Sequence, residues 1–383
     1  MPPLRTHRKS RTGCLQCKKR RVKCDEKGHP CGNCAFRKVQ CTYPNPPTTH
    51  SSPEPSLPEP SPQQASQGTA ETAHPPLAPL DPSNKLLIEL MHKYCTETYT
   101  AFFSEPSDGH VWKTLIPRRA LDHDFLLDGL LSVAALHTAF TSDRSAARPY
   151  LDAAMEFQSR ALKPFQTALQ NISPENCDAI FAHSLITIVN GIAFPQIAAN
   201  TAEAEPSTVL ENLFLLFELV QGTRVIKRMT GPWLQESPLI PRNFWGTWRA
   251  KDLDSDTDEA LGRLDDLNRQ ENIGHPDRCA IIQTALSRLR QCFQRFFQLK
   301  DPASVLTWLA TVDRGFVEYL RGQEPLPILI MVHWGVLLAQ LDGKVWWASG
   351  SGTALVADAL GILERRNADF GRASLWPREQ LGL

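Results

Sequence analysis

Six cysteines lie close enough together to bind metal, and their order repeats. Cys14, Cys17, Cys24, Cys31, Cys34 and Cys41 read C-x2-C-x6-C-x6-C-x2-C-x6-C, two copies of one half-motif, CLQCKKRRVKC and CGNCAFRKVQC. A C-x2-C pair at a helix start puts two sulfurs on one side, both within about 2.3 Å reach of one zinc ion. The third cysteine of each half returns to that side two helical turns later. Each half offers three thiolates, whereas zinc takes four tetrahedral ligands. Six cysteines therefore satisfy two Zn²⁺ only if two sulfurs bridge. Such a cluster has no open coordination position, so the metal is structural and not catalytic.

Charge is concentrated at the same place. Residues 1–41 carry twelve Lys and Arg against Asp25 and Glu26, a net +10, so the other 342 residues carry −10 and the whole chain is neutral. Six thiolates and two Zn²⁺ would leave the head at about +8, which favours a phosphate backbone and makes binding salt-dependent. A zinc knuckle built only for protein contacts has no need of Lys18-Lys19-Arg20-Arg21-Val22-Lys23 against its metal. A basic head on an acidic body is the footprint of a nucleic-acid module joined to something else.

The remaining four cysteines, Cys95, Cys177, Cys279 and Cys292, are scattered. A disulfide framework needs a secretory context, and the N-terminus has no apolar segment of the signal-peptide kind. The longest apolar run, Pro325–Leu341, is short for a bilayer and contains Pro327 and His333. These features point to a soluble chain of a reducing compartment, with no membrane span, where clustered thiols are kept for metal.

Three segments position this chemistry. Residues 1–45 form the basic, Cys-rich module. Residues 46–83 are dense in Pro, Ser, Glu and Gln with few large apolar side chains, the composition of a disordered linker, and they contain no leucine heptads. From residue 84 to 383 apolar residues recur at helical spacing, as in Leu86, Leu87, Leu90, Met91, Tyr94 and in Phe125, Leu126, Leu130, Leu131, Ala134, Ala135. Further helices are predicted near Pro149–Leu169, Ala179–Ala193, Thr208–Arg228, Arg278–Leu299, Ser304–Arg321, Ile328–Leu341 and Thr353–Arg366. Asn200–Ser207 and Asp252–Gly274 read as long polar loops, and the acidic runs Asp252–Glu259 and Asp265-Asp266 as solvated. The C-terminal region is therefore expected to be mostly all-α.

Within that body, His123, His137, His183 and His333 sit in apolar surroundings and read as core histidines. Trp346-Trp347 reads as core and rim packing. No phosphate-loop, dinucleotide, H-E-x-x-H or nucleophile-elbow pattern is present, and nothing argues for an enzyme.

The segment RTGCLQCKKRRVKCDEKGHPCGNCAFRKVQCTYP resembles the fungal binuclear zinc cluster transcription factors. The resemblance implies two short helices on two zincs, related by a pseudo-twofold, with Cys14 and Cys31 as the bridging ligands. It implies that the first helix enters the major groove of double-stranded DNA and reads a CGG-type triplet. By position, Arg20 and Arg21 would meet base edges, since their donors suit guanine O6 and N7. Lys18, Lys23, Arg8, Lys9 and Arg11 would touch phosphates. The family usually places its loop proline two residues before the fourth cysteine, whereas here Pro30 precedes Cys31 directly.

The body, from IELMHKYCTETYTAF and VWKTLIPRRALDHDFLLDGLLSVAALHTAF through LLFELVQGTRVI to PILIMVHWGVLLAQLDGKVWWASGSGTALVADALGIL, is similar to the C-terminal regulatory domain of regulators related to the sterol uptake control protein. That similarity implies an all-helical domain which in some members holds a sterol in an apolar pocket and controls nuclear entry from the cytoplasm. Trp334, Trp346 and Trp347 are then candidates for the lining of a small apolar ligand site. Domains of this kind also occur in activators of fungal biosynthetic gene clusters. Together the readings give a nuclear, zinc-dependent DNA-binding regulator, with a homodimer through the helical body as one arrangement and lipid sensing as the alternative function.

Overall fold

A computed structural model describes residues 13–20, 22–25, 30–43, 81–103, 106–201, 209–238, 250–368 and 370–383. It divides into two units, one within residues 1–76 and one spanning 77–383. Of the expected linker, residues 46–80 lie outside the described residues. Asp81 already caps the first helix of the body.

The first unit contains two one-turn helices, α1 (Leu15–Lys19) and α2 (Gly32–Phe36). They are far too short to stand alone in water. What encloses them is sulfur: all six cysteines are buried, and among the described apolar residues only Tyr43 packs partly against them.

The second unit is helical throughout, with no strand among the described residues. Its helices are α3 (Pro82–Thr96), α4 (Ile116–Ala120), α5 (Asp124–Thr141), α6 (Arg144–Gln170), α7 (Cys177–Thr201), α8 (Val209–Glu236), α9 (Ser255–Glu271), α10 (Pro276–Leu299), α11 (Pro302–Thr311), α12 (Arg314–Arg321), α13 (Pro325–Ala339), α14 (Ser351–Arg365) and α15 (Arg372–Leu381). A π-helical turn, Val111–Leu115, runs straight into α4.

Two helices without a polar face organise the packing. In α5, thirteen residues from Phe125 to Ala139 are buried, and α3, α4, α6 and α7 pack around it. Ser132 on α5 donates to Ala154 O on α6 (3.0 Å) and accepts from Asn190 Nδ2 on α7 (3.1 Å). That bond chain joins three helices through groups that would otherwise be buried without partners. In α13, every residue from Leu326 to Leu338 is buried. It crosses α14 at glycine: a Cβ on Gly352 would lie 2.3 Å from Ala339 N, and one on Gly335 2.7 Å from Val356 Cγ2. Only glycine permits that approach.

By length and composition, Cys177–Ala199 of α7 is apolar enough to cross a membrane, but 72% of that window is buried inside the protein. It is the core helix wedged between α5 and α8.

Two expectations are corrected. Asp252–Gly274 is not a loop, because it forms α9. Asp254 accepts from Thr257 N at 2.9 Å, and Asp256 and Asp258 lie in the first turn, where the helix dipole favours acids. Ala260, Leu261 and Leu264 are buried, while Arg290 of α10 pairs with Asp258 and Asp265. The acids that suggest a loop are thus the cap and the ion-pair face of a helix. Likewise Ser304–Arg321 is two helices. Val312 is extended, and Asp313 accepts from Gly315 N (2.7 Å) to start α12. On the other expected loop, α7 continues to Thr201, and 202–208 lie outside the described residues.

Candidate metal centre and nucleic-acid interface

The first cysteine of each half stands at the N-cap of its helix, Cys14 before α1 and Cys31 before α2, both with extended ψ near 153–154°. The next cysteine, Cys17 or Cys34, then points to the same side one turn on. The third returns alongside: Cys14 N–H donates to Cys24 Sγ (3.5 Å) and Cys31 N–H to Cys41 Sγ (3.4 Å). Val22 N donates to Cys17 O and Val39 N to Cys34 O, each at 3.1 Å. The two halves share these bonds, but Cys17 N donates to Cys14 Sγ whereas Cys34 N donates to Cys31 O.

The sulfurs form two overlapping quartets, Cys14, Cys17, Cys24, Cys31 and Cys14, Cys31, Cys34, Cys41, with all ligand atoms in each within 4.8 Å of one another. Cys14 and Cys31 belong to both. Neighbouring sulfurs are 3.6–3.7 Å apart in the pairs Cys14–Cys31, Cys14–Cys34 and Cys17–Cys31. A tetrahedron with Zn–S bonds of about 2.3 Å has edges of about 3.8 Å. The donor set is all thiolate, with no histidine or carboxylate in either quartet, so the residues fit two zinc ions. The centre is a Zn₂Cys₆ binuclear cluster.

Six buried thiols lie together at the centre of this unit. Burial opposes ionisation of Cys14, but hydrogen bonds from the Cys17 amide and from neighbouring thiols outweigh it and take Cys14 down to about 6. Burial and the contact with Cys31 push Cys34 up to about 12. Zinc would hold all six as thiolates, so its binding would release protons.

A second layer of contacts crosses between the halves. Leu15 N, the first helical amide of α1, donates to Thr42 O (2.7 Å). Its counterpart in the second half, Gly32 N, donates to the Asp25 carboxylate at 3.0 and 3.1 Å. Each half thus caps the helix of the other, one with a carbonyl and one with a carboxylate. A side chain at position 32 would put its Cβ 2.4 Å from Asp25 Oδ2. Asn33 Nδ2 donates to Lys23 O (2.8 Å), and the Tyr43 hydroxyl lies 3.5 Å from Cys24 Sγ. That contact, with partial burial, raises the tyrosine pKa. Sequence reasoning missed Asp25, Asn33, Thr42 and Tyr43. A carboxylate next to Cys24 opposite a glycine next to Cys31 was the one available signal, whereas Asn33 and Tyr43 gave none.

Of the residues expected at DNA, Lys18 and Lys23 are exposed and Arg20 is half-exposed at the C-cap of α1. Lys18 to Arg20 therefore run along the end of the helix whose start is anchored by Cys14. Arg21, Arg8, Lys9 and Arg11 lie outside the described residues, as does the 26–29 loop preceding Pro30. In the second half, Arg37 and Lys38 are exposed. The first half carries the denser charge.

In the body, Trp334 is fully buried, its indole N–H donating to Val305 O (2.9 Å) and its ring stacked on Trp308 at 5.7 Å. Trp347 donates to Ala101 O (3.3 Å), and Trp346 stacks on His137 at 4.6 Å. All three are packed against protein. Two open grooves run along α9, both lined by Arg263 and Asp266, one reaching Asp258 and the other Phe370. His137 bonds Thr98 Oγ1 (2.9 Å) and His333 bonds Leu329 O (2.9 Å). His183 Nδ1 and His333 Nε2 are buried with no hydrogen-bond partner among the described residues.

Comparison with known proteins matches residues 12–50 to the fungal Zn(2)-Cys(6) binuclear cluster domain and 89–222 to the fungal specific transcription factor domain. A Zn(2)-C6 fungal-type transcription factor of Gibberella zeae is 25% identical over 98% of this chain and 86% of its own length. Another from Aspergillus fumigatus is 30% identical over 50% of this chain, which spans 48% of that relative. Sterol uptake control protein 2 of Saccharomyces cerevisiae is 31% identical over 29% of this chain, covering 12% of that protein.

Proposed function

The chain belongs to the fungal Zn(2)-Cys(6) transcription factors, nuclear DNA-binding regulators rather than enzymes, and from that premise we propose that it reads CGG-type triplets through α1 and activates a biosynthetic gene cluster. The observation that carries the reading is the pair of sulfur quartets sharing Cys14 and Cys31 beneath a basic helix end. Cys17 and Cys24 would hold one zinc ion and Cys34 and Cys41 the other, with Cys14 and Cys31, common to both quartets, serving each. The cluster performs no chemistry on substrate. It fixes α1 rigidly enough for a guanidinium to meet a base edge in register.

Within this reading Arg20 and Arg21 contact guanine edges. Lys18, Lys23, Arg8, Lys9 and Arg11 neutralise phosphates. Each phosphate contact removed should lower the salt dependence of binding by about one unit of slope. Arg20→Ala with Arg21→Ala should cost roughly 1–3 kcal/mol per base contact and relax site preference with zinc content intact. The test is chromatin mapping of the full chain beside this double variant. Peaks centred on CGG sites and lost in the variant support direct reading, and peaks clustered at contiguous biosynthetic genes support the pathway. Peaks that persist in the variant sink the proposal.

A second reading, regulation by a sterol or other lipid with shuttling from the cytoplasm, is favoured by the similarity to sterol uptake control protein 2. It requires the core around Trp334 to open, since that ring is packed against Trp308. Lipid co-purifying with the chain, and lost in Trp334→Ala, would support it.

A further inference from the structure

Aligned at their cysteines, the half-motifs set Gln16 opposite Asn33, Lys23 opposite Gln40, Asp25 opposite Thr42 and Glu26 opposite Tyr43. Some bonds occur in both halves. Val22 and Val39 donate back to Cys17 O and Cys34 O, and Asp25 and Thr42 each cap the helix of the other half. Two bonds occur once. Asn33 Nδ2 donates to Lys23 O at 2.8 Å, and the Tyr43 hydroxyl lies 3.5 Å from Cys24 Sγ. Both side chains belong to the second half, and both end on the segment that leaves α1.

Neither bond has a mirror image. Among the described residues no side chain of the first half bonds Gln40 O, although Gln16 carries the same amide as Asn33. Glu26, opposite Tyr43, lies outside the described residues, and an ionised carboxylate has no proton to donate to a thiolate. Chemistry also settles the direction of the two bonds. A carbonyl only accepts, so the amide nitrogen of Asn33 must face Lys23. Cys24 as a zinc ligand would be a thiolate, so the hydroxyl of Tyr43 must be the donor.

The segment matters for what it carries. Arg20 closes α1, and Val22, Lys23 and Cys24 follow, with Lys23 exposed. Each of these three is tied: Val22 N to Cys17 O, Lys23 O to Asn33 and Cys24 Sγ to Tyr43. A side chain that must meet a base edge has to be held within about 0.5 Å by the groups behind it. We infer that Asn33 and Tyr43 are positioning residues for DNA recognition, the second half clamping the segment that leaves α1 so that Arg20 and Lys23 are presented in one geometry. This rests on the reading of DNA by the first half proposed above, and it requires neither side chain to touch DNA.

The test is titration of the full-length, zinc-loaded chain against a CGG-containing duplex and a scrambled one, in wild type, Asn33→Ala and Tyr43→Phe. Both variants should keep two zinc ions per chain by native mass spectrometry, as the intact quartets require. Each should lower the preference for the CGG duplex about fivefold, the effect of one lost hydrogen bond, with affinity for the scrambled duplex unchanged. A merely structural defect would lose zinc or weaken both duplexes alike, and either result overturns the inference. In the chain loaded with ¹¹³Cd and free of DNA, Tyr43→Phe should shift the resonance of the ion held by Cys17 and Cys24 and leave the other in place. A wild type that prefers neither duplex sinks the DNA reading, and this inference with it. A wild type that prefers CGG beside variants that prefer it equally, or a cadmium spectrum indifferent to Tyr43→Phe, sinks this inference alone.

Discussion

The zinc head and the helical body reach order by opposite routes. The head has two one-turn helices and a core of six sulfurs. The body has thirteen α-helices among the described residues, around a continuous apolar core that includes α13, buried all round. In the head, a few strong bonds to an ion replace the burial that so small a unit cannot supply. In the body, many weak contacts do the work, and no single group is indispensable. One region should therefore fail all at once when a single component is withdrawn, and the other by degrees.

The sharpest way to break that comparison is chelation. Removing zinc, or replacing the shared Cys31 with Ser, should unfold the head entirely while the thermal transition of the body stays in place. Heteronuclear NMR of the full chain reads both at once, and a head that stays folded without metal would refute the cluster assignment.

The largest effect in the body should come from its interior. Trp334→Ala removes a fully buried ring and its indole bond to Val305 O, at a cost of about 3–5 kcal/mol. Gly352→Ala drives a Cβ into Ala339 backbone, an overpacking cost of about 1–3 kcal/mol. Neither should change zinc stoichiometry.

Acid should separate the regions by mechanism. Burial depresses His137, His183 and His333 to about 4. The unfolded chain, with histidine near 6.5, binds protons that the folded body refuses. Body stability should thus be full above pH 6.5, fall as pH drops through that value, and level off below about 4. His137→Gln should flatten part of this slope. The head also loses stability in acid, but because protons compete with zinc for thiolates, so added zinc should restore the head alone.

The smallest expected effect tests the contacts between half-motifs. Asp25→Ala withdraws the carboxylate that caps α2, costing about 1 kcal/mol and weakening zinc retention slightly. If zinc release from this variant matches wild type, the ion alone sets the relation of the two halves.

Much of the site could be read directly, because zinc coordination depends on residue type and spacing. Six cysteines in a repeated order specify donor number, stoichiometry and the need for two bridges before any fold is known. The helical body was legible as a class, since periodic apolar residues such as Phe125, Leu126 and Leu130 report a buried face. Its boundaries were less so. The acids of α9 read as a loop because sequence alone does not reveal that Arg290, more than twenty residues away, will pair with Asp258 and Asp265.

What the sequence determined by itself was therefore local: the ligands of the cluster, the positive charge beside it, and the helical character of the remainder. The tertiary structure decided what depends on distant neighbours. Thr42 and Asp25 close the ends of the opposite helices, Trp334 lies against Trp308 in the core, and Leu215, Val225 and Met229 face outward on α8. Coordination number belongs to the ion and is fixed by short spacings, whereas burial belongs to the whole chain and exists only once every helix has found its partners.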